Sequence, residues 1–269
     1  MAPWGEPLAG PRGELLERLS RVERWFLPAE CLLCLRQIGE AEDDSLICSL
    51  CRARWVRLPE PLCPRCGQPI TLDLECRLCA EWPAAFSSAR SAVWLLGSAR
   101  DAVHHLKYGG WWRATEAMAH AMALLETLRG DLVLVPVPLG AARLKERGYN
   151  QCDFLARALA VRLGAPVRTD VLQRVRDTER QTGLPPEARR ANVASAFYVG
   201  AGFIRPVPVL VDDVFTTGAT LVAAAEAFLA AGAREVRAVT FARARRPLED
   251  DVSALQNHRR LTINDEQQT

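Results

Sequence analysis

Asp212, Asp213, Thr216, Thr217, Gly218 and Thr220 stand together in the stretch "VLVDDVFTTGAT". Two adjacent carboxylates can accept hydrogen bonds from sugar hydroxyls and help to hold a hard cation such as magnesium. The threonines and the glycine precede an apolar, helix-patterned run. The first N–H groups of a helix lack intrahelical partners and sit at the positive end of its dipole, so a phosphate suits that position. Glycine at 218 would let backbone approach a ligand closely. The combination describes a site for a sugar phosphate with a metal-bound anionic group. The same "DDV" recurs in "EDDVS" at residues 249–253, with no apolar strand before it and no threonine–glycine loop after it, and reads as solvated tail. Neither G-x-x-x-x-G-K-[ST] nor a well-placed G-x-G-x-x-G is present, which argues against a P-loop or a dinucleotide fingerprint.

A second chemistry lies upstream. Eight of the nine cysteines form four C-x-x-C pairs, "CLLC", "CSLC", "CPRC" and "CRLC", at Cys31, Cys34, Cys48, Cys51, Cys63, Cys66, Cys76 and Cys79. This spacing lets two thiolates from one tight turn reach a single tetrahedral zinc. Eight sulfurs fill two sites and leave no position for a reacting water, so the two zinc ions are expected to be structural. Pairing in sequence order gives two consecutive ribbons; the spacing also allows an interleaved arrangement. Gly67, directly after Cys66, fits a knuckle turn with positive φ. Disulfides are the competing reading; the first residues lack an apolar h-region, so no secretory signal is expected, and clustered thiols then favour metal. A thioredoxin-like role is disfavoured because no strand–helix unit follows any pair.

These groups need elements to position them. Residues 1–27 read as a Pro/Gly-rich arm followed by an amphipathic helix around Leu15, Leu16, Leu19, Val22 and Phe26. Residues 28–83 are turn-rich and too short to build a core without metal. Across 84–245 strand and helix patterns alternate. "SARSAVWLL", "DLVLVPVPL", "PVPVLVDD" and "EVRAVTFAR" read as strands. "SARDAVHHLKYGG", "RATEAMAHAMALLETLRG", "NQCDFLARALAVRLG" and "ATLVAAAEAFLAAG" read as helices, ended by Gly130, Gly164 and Gly232 in the last three. Such alternation implies an α/β fold with a mostly parallel twisted sheet, whose ligands bind at the carboxyl ends of the strands. Residues 246–269 read as a disordered tail.

Composition narrows the class. The 269 residues are 49% hydrophobic and 25% charged with a net charge of +2, ordinary for a globular protein and too mild to argue for nucleic-acid binding. No apolar run reaches the roughly 18 residues of a membrane span, and a cytoplasmic protein is the expectation. Cys152 opens a helix among apolar neighbours and reads as a packing thiol. His104 and His105 are adjacent on a helix and share no face, so they make no metal site. Trp111 and Trp112 are read as packing rather than base-stacking residues.

The motifs resemble a known family. "VLVDDVFTTGAT" looks like the phosphoribosyl diphosphate (PRPP) signature of type I phosphoribosyltransferases. Four C-x-x-C pairs, "LKYGG", "VPVPL", "RGYNQ" and "QTGLPPEARRAN" follow the order of the ComF/GntX family, over roughly residues 25–245. Tyr149 stands where that family more often has phenylalanine. The resemblance implies a type I phosphoribosyltransferase fold behind a small N-terminal double zinc ribbon. It also assigns roles. Asp212 and Asp213 would hold ribose and magnesium, and Thr216, Thr217, Gly218, Ala219 and Thr220 the 5′-phosphate. Val137, Pro138 and Leu139 would face the diphosphate, with the N–H groups of Val137 and Leu139 as donors. Arg147, Asn150 and Gln151 would lie on a flexible loop beside it. Asp212, Asp213 and Arg147 are the residues expected at the reacting centre. Lys107 and Arg189 are further diphosphate candidates, set against the commonness of surface cations.

Displacing diphosphate from the anomeric carbon builds positive charge on the sugar and negative charge on the leaving group, so cations rather than a nucleophilic side chain are required. The implied activity is transfer of phosphoribose from PRPP to an unidentified acceptor. The family's association with competence and DNA uptake implies a rival role in handling nucleic acid, with DNA-uptake machinery or single-stranded DNA as partner. Residues 31–83 carry Arg36, Arg52, Arg54, Arg57, Arg65 and Arg77 against Glu40, Glu42, Asp43, Asp44, Glu60, Asp73, Glu75 and Glu81. That net acidity gives DNA contact by the ribbons no support. A third role is a scaffold whose ribbons bind another protein.

Overall fold

The computed structural model describes residues 30–38, 46–70, 76–175, 196–201, 203 and 206–245. The expected N-terminal helix, the tail beyond 245 and Arg189 lie outside them.

Four strands form a parallel sheet: β1 (Phe86–Trp94), β2 (Leu132–Pro136), β5 (Val207–Phe215) and β6 (Val236–Arg243), in the order β1-β6-β5-β2. The register runs Leu132↔Val207 to Pro136↔Val211 and Asp212↔Thr240 to Phe215↔Arg243, which brings the carboxyl ends of β2 and β5 to one edge. β2 is buried throughout, as a strand covered on both faces must be. Alternate side chains sort onto two cores. Leu132, Leu134, Val209, Val211, Val239 and Phe241 face one; Val133, Val135, Leu210, Val236 and Ala238 face the other. Helices α2 (Gly97–Tyr108), α3 (Thr115–Met122) and α5 (Gln151–Leu163) cover the first face, and α6 (Ala219–Ala230) the second.

The cysteine ribbons straddle the same sheet. Ile47, Cys48, Cys51 and Trp55, around the short helix α1 (Ser49–Ala53), enter the first core; Cys63, Cys66, Cys79 and Trp82 enter the second. Between them the outer edge of β1 is closed by ribbon backbone. The Trp94 N–H donates to the Val56 carbonyl at 2.8 Å and the Ala89 N–H to the Arg65 carbonyl at 2.7 Å. The ribbons thus cap an edge strand that would otherwise present unpaired amides.

Three expectations need correction. The helix expected to run to Gly130 stops at Met122. Beyond it, Arg237 donates to the carbonyls of Thr127 and Arg129, and Ser88 and Thr127 share a 2.6 Å hydroxyl bond, so strand side chains hold the segment off a helical path. The loop expected to carry Arg147, Asn150 and Gln151 is only Gly148 to Asn150, between a helix the sequence did not announce and the helix read from "NQCDFLARALAVRLG". Arg147 ends a short helix α4 (Ala141–Arg147), Gly148 turns with φ 82°, and Gln151 opens α5 with Asn150 as its cap. A small antiparallel pair, β3 (Leu172–Arg174) with β4 (Phe197–Val199), has no counterpart in the alternating pattern.

Candidate functional site

The cysteines settle into sequence-order quartets. Cys31, Cys34, Cys48 and Cys51 have sulfurs within 4.8 Å of one another, as do Cys63, Cys66, Cys76 and Cys79. Sγ–Sγ distances of 3.9 and 3.7 Å in the first quartet and 3.6 and 3.4 Å in the second suit a tetrahedron of zinc–sulfur bonds near 2.3 Å, whose edge is about 3.8 Å. Backbone N–H groups of Leu33 and Cys48 point at Cys31 Sγ. The residue after the first pair of each quartet takes positive φ, Leu35 at 60° and Gly67 at 67°, as a knuckle turn requires. Burial works against thiolates here. At Cys48 and Cys63 burial is the largest single influence, but several hydrogen bonds together, led by those from the Cys51 and Cys66 backbone, outweigh it and lower those thiols to about 6 and about 7. The donor set fits two four-thiolate zinc sites.

The other constellation opens into a cleft of about 910 Å³ at the carboxyl edge of the sheet. Lys107, Val137, Pro138, Leu139, Arg147, Gln151, Asp212, Asp213, Thr216 and Thr220 all line it. Thr217, Gly218, Ala219 and Asn150 are not among the residues that line it. Asp213 is buried and forms an ion pair with Lys107 at 2.9 Å. Burial would lower the Lys107 pKa; Asp213, with Asp212 behind it, overrides that and raises it. Asp212 accepts from the Asp213 N–H at 2.9 Å and from the Cys152 thiol at 3.2 Å. Burial first, and the neighbouring Asp213 second, push Asp212 up to about 6. Two crowded carboxylates sharing one lysine are a fitting place for a further hard cation.

Several side chains have roles that spacing did not reveal. Cys152 is a buried thiol as expected, and it also contacts a site carboxylate; burial, then Asp212, raise it well above its ordinary value. The Val137 N–H is not available to a ligand, because it donates to the Val211 carbonyl at 3.0 Å and continues the sheet. Asn150 works within the protein. Its Oδ1 accepts from the Cys152 N–H and its Nδ2 donates to the Val137 carbonyl and to Asp153 Oδ1. The Tyr149 hydroxyl donates to the Leu106 carbonyl in the last turn of α2, and Arg147 donates to Gln151 Oε1. One wall comes from α2, where Arg100, His104, Lys107 and Tyr108 line the cleft at helical spacing. That i, i+4, i+7, i+8 pattern was the available signal. Trp111 and Trp112 are half exposed away from the cleft, and Trp112 stacks on Phe154 at 5.2 Å.

Gly218 has φ 80° and caps α6. The space beside it faces protein rather than ligand: an added Cβ would meet the Phe215 ring at 2.8 Å and the Trp82 ring at 3.0 Å. Gly218→Ala is therefore expected to cost about 2–3 kcal/mol through strain and overpacking, read as a lower denaturant midpoint at unchanged slope. A midpoint equal to wild type would refute the packing account.

The comparisons agree with this layout. Residues 22–80 match the model of a double zinc ribbon domain, and residues 152–256 that of a phosphoribosyl transferase domain. The chain is 33% identical over 221 residues to the DNA utilization protein YhgH of Salmonella typhimurium, covering 78% of this chain and 95% of that one. Its counterpart in Escherichia coli K12 is 30% identical over 220 residues with the same coverage. The competence protein ComFC of Bacillus subtilis is 26% identical over 223 residues, 75% of this chain and 89% of that protein. Among the described residues no helix is long and apolar enough to cross a membrane. The chain belongs to the ComF/GntX family of phosphoribosyltransferase-like proteins, with a double zinc ribbon ahead of a phosphoribosyl transferase domain.

Proposed function

We propose that the cleft binds PRPP with magnesium and transfers its phosphoribosyl group to an acceptor. The observation that carries this reading is the convergence of the Lys107–Asp213 pair, Asp212, the 216–220 loop and the 137–139 loop on one cleft. The 5′-phosphate lies on the α6 amino terminus with Thr216 and Thr220, and the ribose hydroxyls on Asp212 and Asp213. Leu139, Lys107, Arg147 and Gln151 face the diphosphate, and Arg189 is a further candidate for it. Magnesium, held by Asp212 and Asp213 together with the ligand, supplies charge neutralisation for the diphosphate. A bond forms from the acceptor's lone pair to the anomeric carbon, and the bond from that carbon to the diphosphate oxygen breaks. The diphosphate leaves with the electron pair, and the acceptor's proton passes to it or to solvent. Lys107 and Arg147 stabilise the developing negative charge. On this reading residues 84–245 carry the chemistry, residues 28–83 carry the ribbons, and the arm (1–27) and tail (246–269) take no part. The Arg100, His104 and Tyr108 wall faces the acceptor.

The rival is a non-catalytic factor in DNA uptake, which the names of the YhgH and ComFC relatives favour. Among the ribbon arginines, Arg65 is committed internally, donating to the carbonyls of Cys79, Trp82, Pro83 and Phe86, which removes it as a DNA contact.

Calorimetry with PRPP, with and without magnesium, separates the readings. Magnesium-dependent binding that disappears in Asp212→Asn/Asp213→Asn is expected. Absence of binding by zinc-replete wild type would leave only the interaction role.

A further inference from the structure

Arg243 ends β6 and is buried, with 1% of its surface exposed. A guanidinium in such a place is costly unless its charge and donors are satisfied. Its Nη1 donates to the Cys66 carbonyl at 3.0 Å, and its Nε to Gln68 Oε1 at 3.0 Å. Both partners belong to the second ribbon's knuckle. Four thiolates around one divalent zinc leave a net negative charge, and Arg243 is the buried cation beside them.

The other side of Arg243 touches the candidate site. Its guanidinium carbon lies 3.9 Å from the centre of the Phe215 ring, a cation–π contact in a dry setting. Phe215 is the last residue of β5, and the 216–220 loop starts from it. Its carbonyl accepts from the Ala244 N–H at 2.9 Å, directly after Arg243. Trp82, from the second ribbon, lies against Phe215 at 6.1 Å and stacks on Phe86 at 4.7 Å. Gly218 sits against both rings, closer than any side chain would allow. The loop thus rests on an aromatic plate held by Arg243 and Trp82. The first ribbon packs on the opposite face of the sheet, where Trp55 meets Phe241 edge-on at 4.8 Å.

We infer that Arg243 is a positioning residue that makes the shape of the 216–220 loop depend on zinc in the second cysteine quartet. The two zinc ions are then unequal: the second supports anion binding as well as folding, and the first supports folding. This rests on the proposed reading of the 216–220 loop as the phosphate site.

The test compares wild type, Arg243→Met, Arg243→Lys and the surface control Arg168→Met. The Arg168 side chain pairs with the exposed Asp170, away from the cleft and the ribbons. Three readouts are needed: zinc release to a chromogenic chelator, affinity for PRPP with magnesium and for inorganic phosphate, and near-ultraviolet dichroism. Arg243→Met is expected to hold one of its two zinc ions about 10–100-fold more weakly, as loss of a residue supporting the ligands does. It is expected to bind PRPP at least about tenfold more weakly, since the loop shifts. Arg243→Lys falls between, and Arg168→Met matches wild type.

A second arm needs no variant. Wild type is chelated in steps, freed cysteines are alkylated and mapped by mass spectrometry, and ligand affinity is measured at each step. Affinity should fall with alkylation of Cys63, Cys66, Cys76 and Cys79, and not with that of Cys31, Cys34, Cys48 and Cys51. Undiminished affinity in Arg243→Met, or in protein whose second quartet is alkylated, overturns the inference and leaves the proposed function standing. Failure of wild type to bind either PRPP or phosphate overturns both.

Discussion

Stripping both zinc ions is expected to unfold the β1 edge of the sheet along with the ribbons. The ribbons have little regular structure of their own to hold them: among the described residues α1 is five residues long, and the β-bridges within the knuckles are the single ones Glu30↔Gln37 and Leu62↔Pro69. Structural zinc contributes roughly 10–16 kcal/mol of binding free energy per site, comparable with or greater than the net stability of about 5–15 kcal/mol of a whole domain. That energy reaches the sheet through specific contacts. Val56 and Arg65 supply the carbonyls that satisfy β1 amides, and Trp55 and Trp82 fill the two cores at its edge. Chelation should therefore lower the melting temperature by at least about 10 °C, at about 2–4 °C per kcal/mol. Hydrogen exchange at the Ala89 and Trp94 amides should lose protection in step, and added zinc should restore both. Unchanged melting, or protected β1 amides in chelated protein, would mean that the ribbons are appendages.

The features legible in the sequence are local ones. The C-x-x-C spacing fixes which sulfurs share a turn, and Gly67 and Gly164 announce left-handed turns because few other residues adopt them. Strands β1, β2, β5 and β6 are visible as apolar runs, and the acidic pair near the end of β5 carries its own meaning. The residues missed or misassigned are defined by partners far away in the chain. Arg243 is bonded to Cys66 across 177 positions, Cys152 reaches Asp212 across 60, and Tyr149 reaches Leu106 across 43. No periodicity encodes such pairs. Gly218 shows a subtler failure: its special backbone is foreseeable, but the neighbour that demands it is an aromatic pair, one ring of which comes from the ribbon. The Val137 N–H is misassigned for a similar reason, since only the β2–β5 register shows that the sheet already uses it.

Lys107→Met is expected to be the most damaging single change in the cleft for both stability and ligand binding. Asp213 has 5% of its side-chain surface exposed and Lys107 23%, so the pair is shielded but not sealed. Removing the cation leaves a buried carboxylate beside a second one. Breaking a fully buried pair in this way costs about 3–5 kcal/mol; the lysine's opening to the cleft moves the expectation to about 2–4 kcal/mol. The pH dependence identifies the cause. Asp212, held up to about 6 mainly by burial and then by Asp213, makes the ligand-free protein lose stability as pH rises from the ordinary carboxylate range through 6. The folded state binds the extra proton there, so the sign is a fall with rising pH. Lys107 opposes that rise in Asp212, so in Lys107→Met the fall should extend further above pH 6. Lys107→Met/Asp213→Asn should recover most of the lost stability while remaining unable to bind PRPP with magnesium. Denaturant midpoints across pH 4–8 for the four proteins of this cycle give the coupling directly. A Lys107→Met protein as stable as wild type at every pH would show that water already screens the pair, and Asp213 would then need another reason to be buried.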